Sequence, residues 1–217
     1  MIKNLVLNSF EFMALSQVLK NKVKVIKTVD DMKELLKHAK LESEYKIGMK
    51  VKVDNKMQTG YEYELTEKIG KNFDKDFNPH LTPKEMLELG VFEGKYCNDC
   101  ILEYPKEWFI TALKNGKLHP EEPNEKINEF KLKSRSSLKE WKKKGWIIGD
   151  DPRGWFEWYM RYYLGRRDLE VDKKQISRWK SFARHEAQVE KNCKPKDFEC
   201  RPRQRQALLQ WSYDYGL

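Results

Sequence analysis

Apolar residues alternate with polar ones along the first part of this chain and recur every three to four positions along the rest. Residues 5–7, 22–27, 47–53 and 61–65 carry the two-residue period of half-buried strands, as in KVKVIK with Val23 and Val25 on one side. The polar stretch 54–60 between the last two predicts a hairpin with a long loop. Helical spacing predicts a helix over 10–19 and another over 32–41. In the second, Asp30 or Asp31 serves as cap, and Met32, Leu35, Leu36 and Ala39 share a face. The turn-rich NFDKDFNP at 72–79 marks a boundary.

Beyond that boundary the helix signals are better punctuated. Thr82-Pro83-Lys84-Glu85 is a capping box with proline at the first helical position, and Gly90 closes that helix. A short helix is expected over 105–113, followed by a polar loop carrying Pro120 and Pro123. Four helices follow. One runs from Ser136 or Ser137 to Lys144, and one from Asp150 or Asp151, as cap, to about Leu164. A single long helix is expected over 171–191, and the last runs from Pro202 to about Tyr213. The fold class is therefore mainly α: a helical domain over 73–217 preceded by a small α+β unit over 1–72.

Two of these helices have informative faces. Residues 153–164 (RGWFEWYMRYYL) are apolar nearly all round, which marks a central core element. Its rings Trp155, Trp158, Tyr159, Tyr162 and Tyr163 suit a core, or, for one or two of them, a surface that stacks on bases. Glu157 and Arg161 stand at i, i+4 spacing and read as an intrahelical ion pair. On the helix over 171–191, Lys173, Lys180, Arg184 and Lys191 fall within about 40° of each other, at 100° per residue. That stripe is either a solvated face or a phosphate-tracking ridge.

Charge sharpens the second reading. The chain has 217 residues and a formal charge of +9, yet its first 130 residues hold 21 lysines against 22 carboxylates. All ten arginines lie in the last 83 residues, from Arg135 to Arg205, and six of the seven tryptophans lie in those 83 residues too. Arginine supplies a planar fork that grips phosphate bidentately and stacks on rings, which lysine does not. A nucleic-acid partner follows as the expectation, held through Lys173, Lys180, Arg184, Arg166, Arg167, Arg201, Arg203 and Arg205. The alternative for the last three is pairing with Glu190, Asp197 and Glu199. Two other functions stand beside this one: an enzyme acting on nucleic acid or nucleotides, of modification or repair type, and an adaptor for an acidic protein.

Other chemistry is sparse. No apolar run approaches a membrane span, and the mildly apolar 5–19 is interrupted by polar residues, so no membrane or secretion role is expected. An intracellular place, cytoplasmic or nuclear, follows as the expectation. Cys97 and Cys100 (CNDC) with Cys193 and Cys200 could close a zinc site, although the second spacing is wide; ordinary thiols are the simpler reading. No phosphate loop, nucleophile elbow or zincin motif is present. Glu157, Asp151 and His185 remain as acid–base candidates, with helix capping the simpler role for Asp151.

The stretches LELGVFEGKY at 87–96, DPRGWFEW at 151–158, YYLGRR at 162–167 and CRPRQRQALLQW at 200–211 resemble a family of hypothetical proteins found in bacteria, fungi, algae and large DNA viruses. The resemblance covers about 75–217. It implies a module boundary near residue 75, and no activity, because the family has none assigned.

Overall fold

Thr28 opens the first helix with a capping box. Its Oγ1 accepts the Asp31 N–H at 3.1 Å, and Asp31 Oδ2 accepts the Thr28 N–H at 2.9 Å. The resulting helix, α1 (Val29–Leu36), buries Met32 and Leu35. The computed structural model describes Gln17, Val18, Asn21 and residues 26–217. The strand expected at 5–7, residues 22–25 of the one expected over 22–27, and nearly all of the helix expected over 10–19 lie outside these residues, while Ile26 and Lys27 are not in a strand. Strands β1 (Lys50–Asp54) and β2 (Thr59–Glu64) form the antiparallel hairpin that the alternation predicts, Val51 facing Tyr63 and Val53 facing Tyr61. Val51, Val53 and Tyr63 point into the core, while Lys50, Lys52, Glu62 and Glu64 face water. The loop between the strands is held by Asn55 Oδ1, which accepts the N–H groups of Met57 and Gln58.

Helix α2 (Pro83–Glu88) starts with the expected Thr82–Glu85 box and ends at Gly90, whose φ is 70°. Then come α3 (Glu107–Lys114), α4 (Leu138–Lys143), α5 (Trp155–Leu164), α6 (Leu169–Lys180), α7 (Ala183–Asn192) and α8 (Pro202–Gln210). The fold is mainly α, with one two-stranded sheet among the described residues. No helix among them is long and apolar enough to cross a membrane.

The single helix expected over 171–191 is instead two, broken at Ser181 and Phe182. Ser181 Oγ donates to the Arg178 carbonyl at 2.6 Å, a bond that competes with the helical ladder. The break lets Phe182 stack on Trp211 at 4.1 Å while Trp179 stacks on Tyr213 at 4.7 Å. The helix also starts two residues early, because Asp168 Oδ1 accepts the Val171 N–H.

As its pattern predicts, α5 is the central element: Trp158, Tyr159, Met160 and Leu164 are fully buried. Phe77 inserts edge-on among Trp158, Tyr159, Tyr162 and Trp179, at 5.0–5.6 Å between centroids. Met32, Leu35, Val51 and Val53 belong to the same hydrophobic cluster as these helical residues. Around the boundary expected at 72, the Gly70 N–H donates to the Tyr163 carbonyl and the Asp74 N–H to the Tyr162 hydroxyl. Within the described residues, the strand-bearing and helical parts thus share one core.

Candidate nucleic-acid interface

The polar strip of α5 builds the most conspicuous buried feature. Glu157 and Arg161, one turn apart, project from one side of the helix, and Arg153, in the turn just before it, reaches Glu157. Arg161 Nε binds Glu103 at 2.7 Å and its Nη1 binds Asp151 at 3.0 Å, with Glu157 3.6 Å from Nη2. Its Nη2 also donates to Gln58 of the hairpin loop at 2.9 Å. Arg153 bridges Glu157 and Asp99 at 2.9 and 2.7 Å, and Arg166 binds Asp151 at 2.6 Å. Three guanidinium groups thus meet four carboxylates, one more negative charge than positive. Burial pushes the Glu157 carboxyl up, against the pull of Arg161 and Arg153. Burial works to lower the pKa of Arg161, yet Glu103 foremost holds it above its ordinary value. The network ties the hairpin, the segment 99–103 and α5 together.

This arrangement corrects several sequence expectations. Asp151 is not a helix cap: Gly154 holds the N-cap position of α5, and the Asp151 oxygens are taken by Arg161 and Arg166. Glu157 and Asp151 are sealed from solvent, while His185 lies part-exposed against Phe182, so the three acid–base candidates do not converge. Burial and the neighbouring Arg184 push the His185 imidazole down.

Nor do the predicted phosphate ligands gather on one face. Arg166 is buried on Asp151. Arg205 is fully buried and donates to the carbonyls of Cys200, Tyr215, Lys194 and Leu217, which knits the end of the chain together. Neither can reach a phosphate. The proposed carboxylate partners fail as well, since among the described residues none of Arg201, Arg203 and Arg205 pairs with Glu190, Asp197 or Glu199. Arg167 lies 3.9 Å over the Tyr162 ring and donates to four carbonyls, those of Tyr162, Arg166, Lys71 and Asn72. Lys180 pairs with Asp76 at 3.1 Å, and with Lys173 it borders a cavity that also holds Asp74 and Asp172. Arg184 is exposed beyond the helix break, Arg203 is exposed on α8, and Arg201 is half-buried.

The cysteines separate into two kinds. Cys193 and Cys200 form a disulfide between the ends of α7 and α8, Cα atoms 5.7 Å apart, which corrects the expectation of four unlinked thiols. Cys97 and Cys100 are free and buried. No group of three or more His, Cys, Asp or Glu is placed to hold a metal ion among the described residues. Burial pushes both free thiols up, so little thiolate exists at pH 8. A thiol-disulfide dye at that pH is expected to titrate no thiol in the folded protein and two after denaturation. Rapid labelling of the folded chain would contradict this burial.

The arrangement best suited to a ligand is a cleft that the sequence pattern did not single out. Phe92, Tyr96, Ser136, Trp141 and Arg153 form a wall shared by two adjoining cavities, of about 270 and about 130 Å³. The larger extends to Lys56, Lys95, Asn98 and Arg135, the smaller to Trp146, Trp155, Arg178 and Trp211. A left-handed turn sets the wall. Phe92 and Glu93 both have φ near 62°, a conformation that costs non-glycine residues about 1–3 kcal/mol each. Glu93 fixes the turn: its Oε1 accepts the N–H groups of Ser134 and Arg135, and its own N–H donates to Asn128. Gly90 is required there, because a Cβ would lie 2.6 Å from the Ile127 carbonyl oxygen.

Across the cleft, Trp155 packs on Trp211 at 4.7 Å, and the Arg178 guanidinium stands 5.5 Å over Trp211. Arg178 Nη1 donates to the Trp146 carbonyl at 2.9 Å and to Gln175 at 3.0 Å. Trp146 is 39% exposed, with the Lys144 ammonium 4.6 Å over its ring. Burial pushes the Arg178 guanidinium down, and among the described residues no carboxylate opposes that shift. Arg135 likewise forms no ion pair among the described residues. The sequence did hold a signal for this cleft: Trp146 follows a lysine triplet and a glycine, outside any apolar stripe that would bury it.

No protein-family model, curated protein or solved structure matches this chain.

Proposed function

We propose that this chain binds single-stranded nucleic acid along the tryptophan-lined cleft. The carrying observation is Arg178, a half-buried guanidinium that meets no carboxylate among the described residues, bonded to the Trp146 carbonyl and lying over the Trp211 ring. A buried cation without a counter-charge is costly, and an incoming phosphate removes that cost. Lys142, Lys143 and Lys144 lie on and just after α4 beside Trp141, and Lys174 stands one turn before Arg178 on α6, so cations flank the rings. Rings between cations suit unstacked bases on a phosphate chain better than a duplex, whose bases are hidden. This reading keeps the partner expected from the arginine bias and moves the contact from the Lys173–Lys180 side of α6 to its Lys174–Arg178 side.

Fluorescence anisotropy with labelled single strands and duplexes of DNA and RNA tests it. Single strands are expected to bind more tightly. For about four phosphate contacts, log affinity should fall against log salt with a slope near −3. Arg178→Met should weaken binding about tenfold or more, whereas Lys173→Met, on the opposite side of α6, leaves it unchanged. Affinity indifferent to salt, or to Arg178→Met in a chain that circular dichroism shows to be folded, overturns the proposal. Equal competition by polyglutamate would transfer the site to an acidic protein.

A further inference from the structure

We infer that the larger cavity holds one nucleoside monophosphate, its base against Phe92, Tyr96 and Trp141 and its phosphate on Arg135. The inference rests on the nucleic-acid reading of the adjoining cleft and adds a ligand of defined size. At about 270 Å³ the space lies just under the roughly 300–1,000 Å³ of drug-sized ligand sites, enough for one nucleotide and too little for two.

The charges on the wall choose among small aromatic ligands. Arg153 is neutralised by Asp99 and Glu157 at 2.7 and 2.9 Å. Lys95 reaches Glu122 at 3.8 Å and donates to the Glu121 carbonyl, and Lys56 Nζ donates to the Ile26 carbonyl at 3.1 Å. Arg135 is left with a guanidinium that meets no carboxylate among the described residues. Its main chain is held beside the cavity, since the Arg135 backbone N–H donates to buried Glu93. An anion therefore has one defined partner and two lysines near it. Asn98, buried in the same wall, donates through Nδ2 to the Gly94 carbonyl and leaves Oδ1 without a partner. The three rings offer apolar faces at the shared wall, where Phe92 and Tyr96 already pack at 4.7 Å.

Isothermal titration of the full chain with AMP, GMP, CMP and UMP, with adenosine and inorganic phosphate as partial ligands, tests the inference. At least one monophosphate should bind with Kd below about 1 mM, and at least tenfold more tightly than adenosine or phosphate alone. Arg135→Met should remove that phosphate advantage while leaving the weak adenosine binding. Trp141→Leu should weaken AMP and adenosine alike. A 5′-phosphorylated strand that outbinds its 5′-hydroxyl counterpart places the pocket at a strand end; equal binding makes the free nucleotide the ligand.

If no monophosphate binds with Kd below about 1 mM, or Arg135→Met binds AMP as tightly as the unaltered chain, the inference falls. Strand binding that persists in that case leaves the cleft reading intact. Monophosphate binding without strand binding retires the cleft reading and keeps the pocket.

Discussion

Arg161→Met is expected to lower the free energy of unfolding by about 3–5 kcal/mol, measured by urea denaturation at pH 7. The side chain is fully buried and compensates Glu103, Asp151 and Glu157 at once. Methionine fills similar space but leaves these three carboxylates with Arg153 and Arg166 alone. The loss carries a pH signature. Buried carboxylates deprived of their cation have folded-state pKa values raised above the ordinary value of about 4, so the folded variant binds more protons than the unfolded chain. Its stability then declines as pH rises above about 4, and the deficit against the unaltered protein should shrink on acidification from pH 7 toward pH 5. Glu157 is already pushed up by burial, so Arg161→Met with Glu157→Gln should recover part of the loss. A deficit independent of pH would show that packing, not charge, is what Arg161 supplies.

Gly165→Ala is expected to cost roughly 2–5 kcal/mol, read as a lower urea midpoint. Gly165 ends α5 with φ at 123°, and a Cβ there would sit 2.2 Å from the Glu67 carbonyl oxygen. Its own carbonyl accepts the N–H groups of Thr66 and Glu67, so the substitution pushes apart the segment after β2 and the end of α5. Gly48→Ala separates strain from collision. That glycine has φ at 83° with nothing within 4 Å of a Cβ, so it should show only the backbone cost of about 1–2 kcal/mol. Equal losses at both positions would mean that the close approach to Glu67 contributes nothing.

Much of the secondary structure could be read before any coordinates. The Thr82–Glu85 box, the hairpin alternation around Val51 and Val53, and the all-round apolarity of 155–164 are local patterns, and each formed as expected. The helix over 171–191 misled because its wheel was continuous across Ser181 and Phe182. What ended it was a distant ring, Trp211, offering Phe182 a stacking partner. The arginines misled for a related reason. Arg205 is satisfied by carbonyls near the end of the chain, and carbonyls leave no trace in a residue pattern.

The cleft makes the same point from the other side. Arg135, Trp141, Trp146 and Arg178 were visible as residue types, but their spacings of 5–32 positions match no helix or strand period. Glu93, reaching the N–H groups of Ser134 and Arg135, brings one wall into place, and the break after Lys180 brings the other. Periodicity, caps and glycines act over a few bonds, so helices, hairpin and the central position of α5 were already written into the order of residues. Which guanidinium groups are neutralised and which face a cavity depends on contacts between segments up to a hundred residues apart, and such pairings exist only once the chain has closed on itself.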